Sequence, residues 1–222
     1  MQSSNRTVNV GLIGLGTVGG GVFRLIQSHA ARYLETRGID LRISRACGLD
    51  EGRARELGVT PAQFTTDWRD IVDDPSIDIV VEVIGGEHPA TEIFTESFAH
   101  GKHVVSANKA LLGRHMEELA GAAHAAGVQL RCEASCGGGI PIVDTLERDL
   151  SGNTVLAIAG IVNGTTNYIL SRMADEGLGY EEVLADAQRL GYAEADPSAD
   201  VDGFDAASKI AILSSIGFAT RI

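Results

Sequence analysis

The chain has 222 residues, 44% of them apolar, enough to fill one large core or two modest ones and too many for a disordered polymer. Lys and Arg number 18 against 30 Asp and Glu, a formal net charge of −12, which disfavours nucleic-acid phosphates and anionic membrane surfaces as partners. No run approaches the roughly 18 apolar residues of a membrane span, the start MQSSNRTVNVGLIGLG has no secretory-signal pattern, and the cysteines (Cys47, Cys132, Cys136) are odd in number, so a cytoplasmic protein with reduced thiols is expected.

Residues 8–13 are a short apolar run ending in glycines, and Val18, Val22, Leu25 and Ile26 then recur at helical spacing within 18–33, which predicts strand, tight turn and helix. Gly14, Gly16 and Gly19 satisfy G-x-G-x-x-G in that context, with Thr17 and Val18 inside the same turn. Glycine permits the turn and the close approach of backbone to a pyrophosphate, and the helix N-terminus attracts that anion; a plain glycine turn is the alternative. Further along, a strand is expected over 41–49, a short helix over 53–57 and a buried β-branched strand over 77–84. An acid ending the second strand would take the ribose diol of NAD, but that strand ends Cys47, Gly48, Leu49, with Asp50 late. Arg53 and Arg55 either neutralise the 2′-phosphate of NADP or are solvated charges, so the choice between NAD and NADP stays open.

Helices over 91–100 and 116–126, separated by HVVSANK at 103–109, and a strand over 128–133 complete a pattern that predicts a doubly wound parallel sheet of the Rossmann kind. Gly137, Gly138 and Gly139 break the rhythm, and Pro141 suits the first turn of a helix reaching about residue 150. This places a dinucleotide-binding domain at 1–134 and a second, smaller domain at 135–222. The latter should hold a strand over 155–162, helices over 167–176 and 180–190, a polar loop, and a helix over 204–216.

Four stretches are polar and small where a core would be apolar: SANKALL at 106–112, EASCGGGIPIV at 133–143, GIVNGTTNYIL at 160–170 and GYAEADPSADVDGFDAASKIAIL at 191–213. In this order behind the glycine turn, they resemble homoserine dehydrogenase over nearly the whole chain. The resemblance implies interconversion of L-aspartate 4-semialdehyde and L-homoserine with NADP or NAD, in threonine, methionine and isoleucine biosynthesis. It also implies an α+β second domain for substrate binding and homodimerisation. The family's catalytic unit runs well beyond the equivalent of Ile222, so that domain is expected to be incomplete here.

Asp205 and Lys209 are four apart on a predicted helix and project from one face. The family pattern gives this Lys proton transfer at the substrate oxygen and this Asp substrate positioning; an exposed ion pair is the plain alternative. A lysine near its ordinary pKa of about 10.4 is a sluggish acid or base at neutral pH, so burial or a neighbouring cation such as Lys109 should lower it. The resemblance sets Lys109, with Ser106 and Asn108, near nicotinamide and substrate. It gives Glu194 and Asp200 the substrate ammonium, where a solvated acidic loop is the alternative. The exposed N–H groups of Asn163, Gly164, Thr165 and Thr166 would take the substrate carboxylate, unless Thr165 or Thr166 simply caps a helix. Tyr192 either flanks the pocket or packs its ring at a helix end. The resemblance further implies a structural monovalent cation, such as Na+, held by the Glu133 carboxylate with carbonyls of Cys136, Gly138 and Ile140. Cys136 has no activating histidine nearby in sequence, and the histidines show no zinc-binding spacing. Two other readings remain: a polyol-oxidising relative, which would carry an E-K-P motif where this chain has Asn108, Lys109, Ala110, and a dinucleotide-binding module without catalysis.

Overall fold

The computed structural model describes residues 5–220. The first part runs β1 (Arg6–Ile13), α1 (Thr17–Arg37), β2 (Ile39–Cys47), α2 (Glu51–Leu57), β3 (Phe64–Thr65), α3 (Arg69–Val72), β4 (Ile79–Glu82), α4 (Ala90–Ala99), β5 (His103–Ser106), α5 (Lys109–Ala125) and β6 (Leu130–Arg131). All six strands are parallel, in the order β3-β2-β1-β4-β5-β6. The winding reverses between β1 and β4, and there a crevice opens beyond the carboxyl ends of the strands. Helices cover both faces of the sheet, which is why its central strands are apolar on both sides. Val10, Leu12, Phe23, Ile43 and Leu57 fill one face; Ile13, Ile71, Val80, Phe94, Val104 and Leu111 fill the other.

A 3-10 turn (Glu133–Ser135) and a π-helical turn (Thr145–Asp149) lead into α6 (Gly164–Glu176), α7 (Tyr180–Arg189), α8 (Ser198–Val201) and α9 (Phe204–Gly217). Helices α6 and α7 close a small core of Ile169, Val183, Ala187 and Ala193. By contrast α9 lies along α5, and Val143, Leu146, Ile212 and Leu213 continue the core that starts beneath the sheet. The two helices meet closely at Gly113, where a Cβ would stand 3.0 Å from Ser208 Cα. Among the described residues no helix is long and apolar enough to cross a membrane.

Several elements differ from expectation. The edge strand β3, with α3 and α8, falls in stretches too short to carry a periodic signal. HVVSANK, expected between two helices, holds β5 and then opens α5 at Lys109, and a kink at His115 (φ −126°, ψ 19°) divides that start from the apolar-periodic half. The strand expected over 155–162 does not form: the segment joins no ladder among the described residues and leaves Leu156 89% and Ile161 77% exposed. The part of 135–222 described here therefore contributes helices.

The helix expected from Pro141 has its own explanation. Glu133 Oε1 accepts the N–H groups of Ile142 (2.7 Å) and Val143 (3.0 Å), and Oε2 accepts that of Asp144 (2.7 Å). One carboxylate thus satisfies three donors that a helix start otherwise leaves open, and complements the helix dipole. Glu133→Ala should lower the unfolding free energy in denaturant titrations by about 2 kcal/mol, as expected for loss of a charged cap, with Glu133→Gln falling between parent and Ala. An unchanged midpoint in both variants would show that the cap carries no stability.

Candidate functional site

The glycine turn between β1 and α1 has the shape a dinucleotide needs. Gly14 has φ +106°, and a Cβ there would come within 2.9 Å of the Val83 backbone. A Cβ on Gly19 would sit 1.8 Å from the Gly14 carbonyl oxygen, so strand and helix can cross this closely only without it. Around Gly16 nothing lies within 4 Å of where a Cβ would be, which leaves its outer face open. No side chain caps α1 at Gly16 and no acid lies in its first turn, which begins with Thr17 and Val18, so the helix N-terminus is left to an anion. A cleft of 860 Å³ runs from Gly14, Gly16 and Thr17 past Cys47 to Asp50 and Arg53 on one side and Val83, Ile84 and Pro89 on the other. Asp50 Oδ1 accepts Arg53 N (3.0 Å) and caps α2, while the residue also lines the cleft. Of the two arginines weighed for the 2′-phosphate, Arg53 lines the cleft and pairs with Glu56 (3.1 Å), while Arg55 pairs with Glu51 on the surface.

On the other side of β4, Ser106 ends β5 and is buried, as is Asn108, whose Oδ1 accepts Leu111 N (3.2 Å) and caps α5. That cap fixes Lys109 at the first position of the helix. Its ammonium reaches Asp205 Oδ1, which meets no other donor. The Lys209 ammonium donates to Asp205 Oδ2 (2.6 Å) and to the Val162 carbonyl (2.7 Å). Asn163 Nδ2 bridges Asp205 Oδ2 (2.8 Å) and Asp200 Oδ1 (2.7 Å). Asp205 is 5% exposed. Burial pushes its carboxyl up, but hydrogen bonds from Lys109, Lys209 and Asn163 outweigh that and hold it at about 2. The two lysines do not face each other as like charges; the carboxylate stands between them.

Lys109, Glu194, Asp196, Asp200, Phe204 and Asp205 line a cleft of 260 Å³. The Glu194 carboxylate has no hydrogen-bond or ion-pair partner among the described residues, whereas each Asp200 oxygen already accepts a bond, from Asn163 (2.7 Å) and Thr165 (2.9 Å). Asp196, which also caps the Ser198 N–H (3.1 Å), joins this set without having stood out in an acidic loop.

Other candidate residues lie outside this lining or are engaged elsewhere. Gly164 and Thr165 do not line this cleft, and Thr165 Oγ1 lies 2.7 Å from the Tyr192 carbonyl oxygen as well as near Asp200. The cap of α6 is neither threonine but Asn163, whose Oδ1 accepts Thr166 N (2.8 Å). The Tyr192 ring stacks at a tilt on Tyr168, centroids 4.9 Å apart, and lies outside the cleft lining. Glu133 is engaged as the helix cap, its two oxygens turned to N–H groups rather than toward Cys136, Gly138 and Ile140, so the carboxylate expected to anchor a cation already has a structural task. Cys136 is 1% exposed and burial pushes its thiol up, the reverse of an activated nucleophile. The buried Glu82 beside Ser106 was not legible at all, since an acid inside IDIVVEVI reads as a strand-end charge.

Fold and site together define a two-part dinucleotide-binding protein in which a helical unit presents acids and a lysine to the carboxyl edge of a Rossmann sheet. Residues 14–133 match the model of the homoserine dehydrogenase NAD-binding domain, and residues 141–222 match that of homoserine dehydrogenase. The chain belongs to the homoserine dehydrogenase family. It is 50% identical over 216 residues to a homoserine dehydrogenase of Synechocystis, covering 97% of this chain and 49% of the relative. A solved homoserine dehydrogenase from Thiobacillus denitrificans superposes with a TM-score of 0.90 at 47% identity, over 96% of this chain and 49% of that one. A hyperthermophilic archaeal homoserine dehydrogenase in complex with NADPH gives 0.84 at 25% identity, over 97% and 71%. The chain spans about half the length of the curated relatives it matches.

The Asp205 carboxyl has a lower pKa folded (about 2) than its ordinary 3.8. Its contribution to stability is therefore complete above about pH 4 and is lost as pH falls toward 2. The stability gap between the parent and Asp205→Asn should shrink by about 2 kcal/mol between pH 5 and pH 2. A gap independent of pH over that range would mean that Asp205 is not held ionised by the lysines.

Proposed function

We propose that the chain carries the homoserine dehydrogenase site: reversible NADP(H)- or NAD(H)-dependent reduction of L-aspartate 4-semialdehyde to L-homoserine. The observation that carries this reading is the pair of lysines on one buried carboxylate, beside an acidic cleft, at the carboxyl edge of a sheet whose first turn fits a dinucleotide. A bound nicotinamide supplies the hydride acceptor or donor. Gly14, Gly16, Thr17, Val18 and Gly19 would hold the pyrophosphate, with Ser106, Asn108 and Lys109 toward the nicotinamide.

In the oxidative direction the hydroxyl proton of homoserine has to leave as hydride departs from the same carbon, and in the reductive direction the developing alkoxide has to gain one. Lys109, half exposed at the cleft, is placed to exchange that proton. Lys209, nearly buried behind Asp205, holds the carboxylate in place and is the second lysine available to manage the oxygen's proton. Asp205, itself buried, orients both ammonium groups. Glu194, with Asp200 and Asp196, supplies negative charge for the substrate ammonium. Cytoplasmic localisation and homodimerisation are part of the same reading. The exposed Leu156 and Ile161, on a segment without a ladder, support association through the second part.

Between the two cofactors this reading takes NADP, supported by Arg53 in the cleft lining and by the cap that occupies one oxygen of Asp50. Purified protein incubated with L-homoserine and NADP+ or NAD+ at alkaline pH should show reduced-nicotinamide absorbance, lost by about a hundredfold or more in Lys209→Ala and in Lys109→Ala. Cofactor binding without turnover would favour a dinucleotide-binding module. Arg53→Ala should weaken NADP+ about tenfold while leaving NAD+ nearly unchanged, an effect of the size expected for one charge-assisted phosphate contact; equal weakening of both would remove Arg53 from the 2′-phosphate.

A further inference from the structure

Glu82 is the last residue of β4, flanked in register by Ile13 of β1 and Ser106 of β5, and it is fully buried. No Lys, Arg or His among the described residues pairs with it. Its side chain is nonetheless fully engaged, and always as acceptor. Oε1 takes the N–H groups of Ile84 (2.9 Å) and Gly85 (3.2 Å), and Oε2 takes the Ser106 hydroxyl (2.7 Å). That hydroxyl in turn accepts the Asn108 N–H (2.9 Å), and Asn108 Nδ2 donates to the Gly86 carbonyl (2.7 Å), closing a ring between the two loops.

Both loops bear on the cofactor cleft. Val83 and Ile84 line it opposite the glycine turn. The other loop ends at the cap of α5, from which Lys109 reaches Asp205. A lone buried carboxylate is unfavourable unless its acceptors are filled, and here they are filled only when both loops sit as they do. We infer that Glu82 is a positioning residue for the nicotinamide side of the site, acting through Ser106 and Asn108 on the cleft wall and on the start of α5. The inference rests on the reading of this cleft as a nicotinamide dinucleotide site.

The hydrogen-bond directions make the isosteric variant informative. In Glu82→Gln one oxygen can still accept from Ile84 and Gly85, but the amide nitrogen then faces Ser106, whose hydroxyl would receive two donors and lose the acceptor for its own proton. The test measures dissociation constants of the 222-residue chain for NADP+ and for 2′-phospho-ADP-ribose, the same ligand without its nicotinamide. In Glu82→Gln we expect 2′-phospho-ADP-ribose to bind within about twofold of parent and NADP+ to weaken at least about fivefold, the range of one lost charge-assisted hydrogen bond. Ser106→Ala, which keeps the bonds to Ile84 and Gly85, should shift the same ratio in the same direction by a smaller factor. A merely structural role would weaken both ligands together, and that result, or no change in either, overturns the inference while leaving the site reading intact. Failure of the parent to bind either ligand would overturn both.

Discussion

A single carboxylate joins the two parts of this molecule. Asp205, on the first turn of α9, takes one ammonium from α5 and one from its own helix, and it is buried between them. A charge in that position is tolerable only when both partners are present, because removing either would leave ionised groups in a poorly solvated place. The docking of α9 on α5, the cap that starts α5 and the placement of Asn163 at the head of α6 all serve the same few atoms. The core agrees with this: the apolar cluster beneath the sheet runs without interruption into Leu146, Ile212 and Leu213.

Much of this was legible in the sequence. The turn of Gly14, Gly16 and Gly19 was readable because its glycines have separate physical reasons, one a positive φ and one a crossing too tight for a Cβ. The pairing of Asp205 with Lys209 follows from helical spacing alone, and the central strands from their β-branched runs. What could not be read is what depends on contacts distant in sequence. Nothing local indicates that Lys109 shares Asp205, that Glu133 caps a helix nine residues ahead, or that Asp200 is tied to Asn163 and Thr165.

Other differences arise where two descriptions fit the same residue types. Tyr192 has an aromatic neighbour to pack on, and that contact places the ring away from the acidic cleft. The kink at His115 hides the true start of α5, since periodicity measured across it loses phase. The segment over 155–162 has strand composition, but composition cannot supply a neighbouring strand.

Gly113 shows how far from chemistry a site can be specified. It carries no functional group and lies in the middle of a helix, where glycine is a poor helix former. Its neighbour across the interface is Ser208, which sits directly beside Lys209 and three residues from Asp205, with no room at 3.0 Å for a methyl group. Any larger residue at position 113 would lever α9 outward by a few tenths of an ångström at the point where the ammonium and carboxylate groups meet. A change at this outwardly neutral position is thereby felt at the charged groups beside Ser208, although position 113 itself touches none of them.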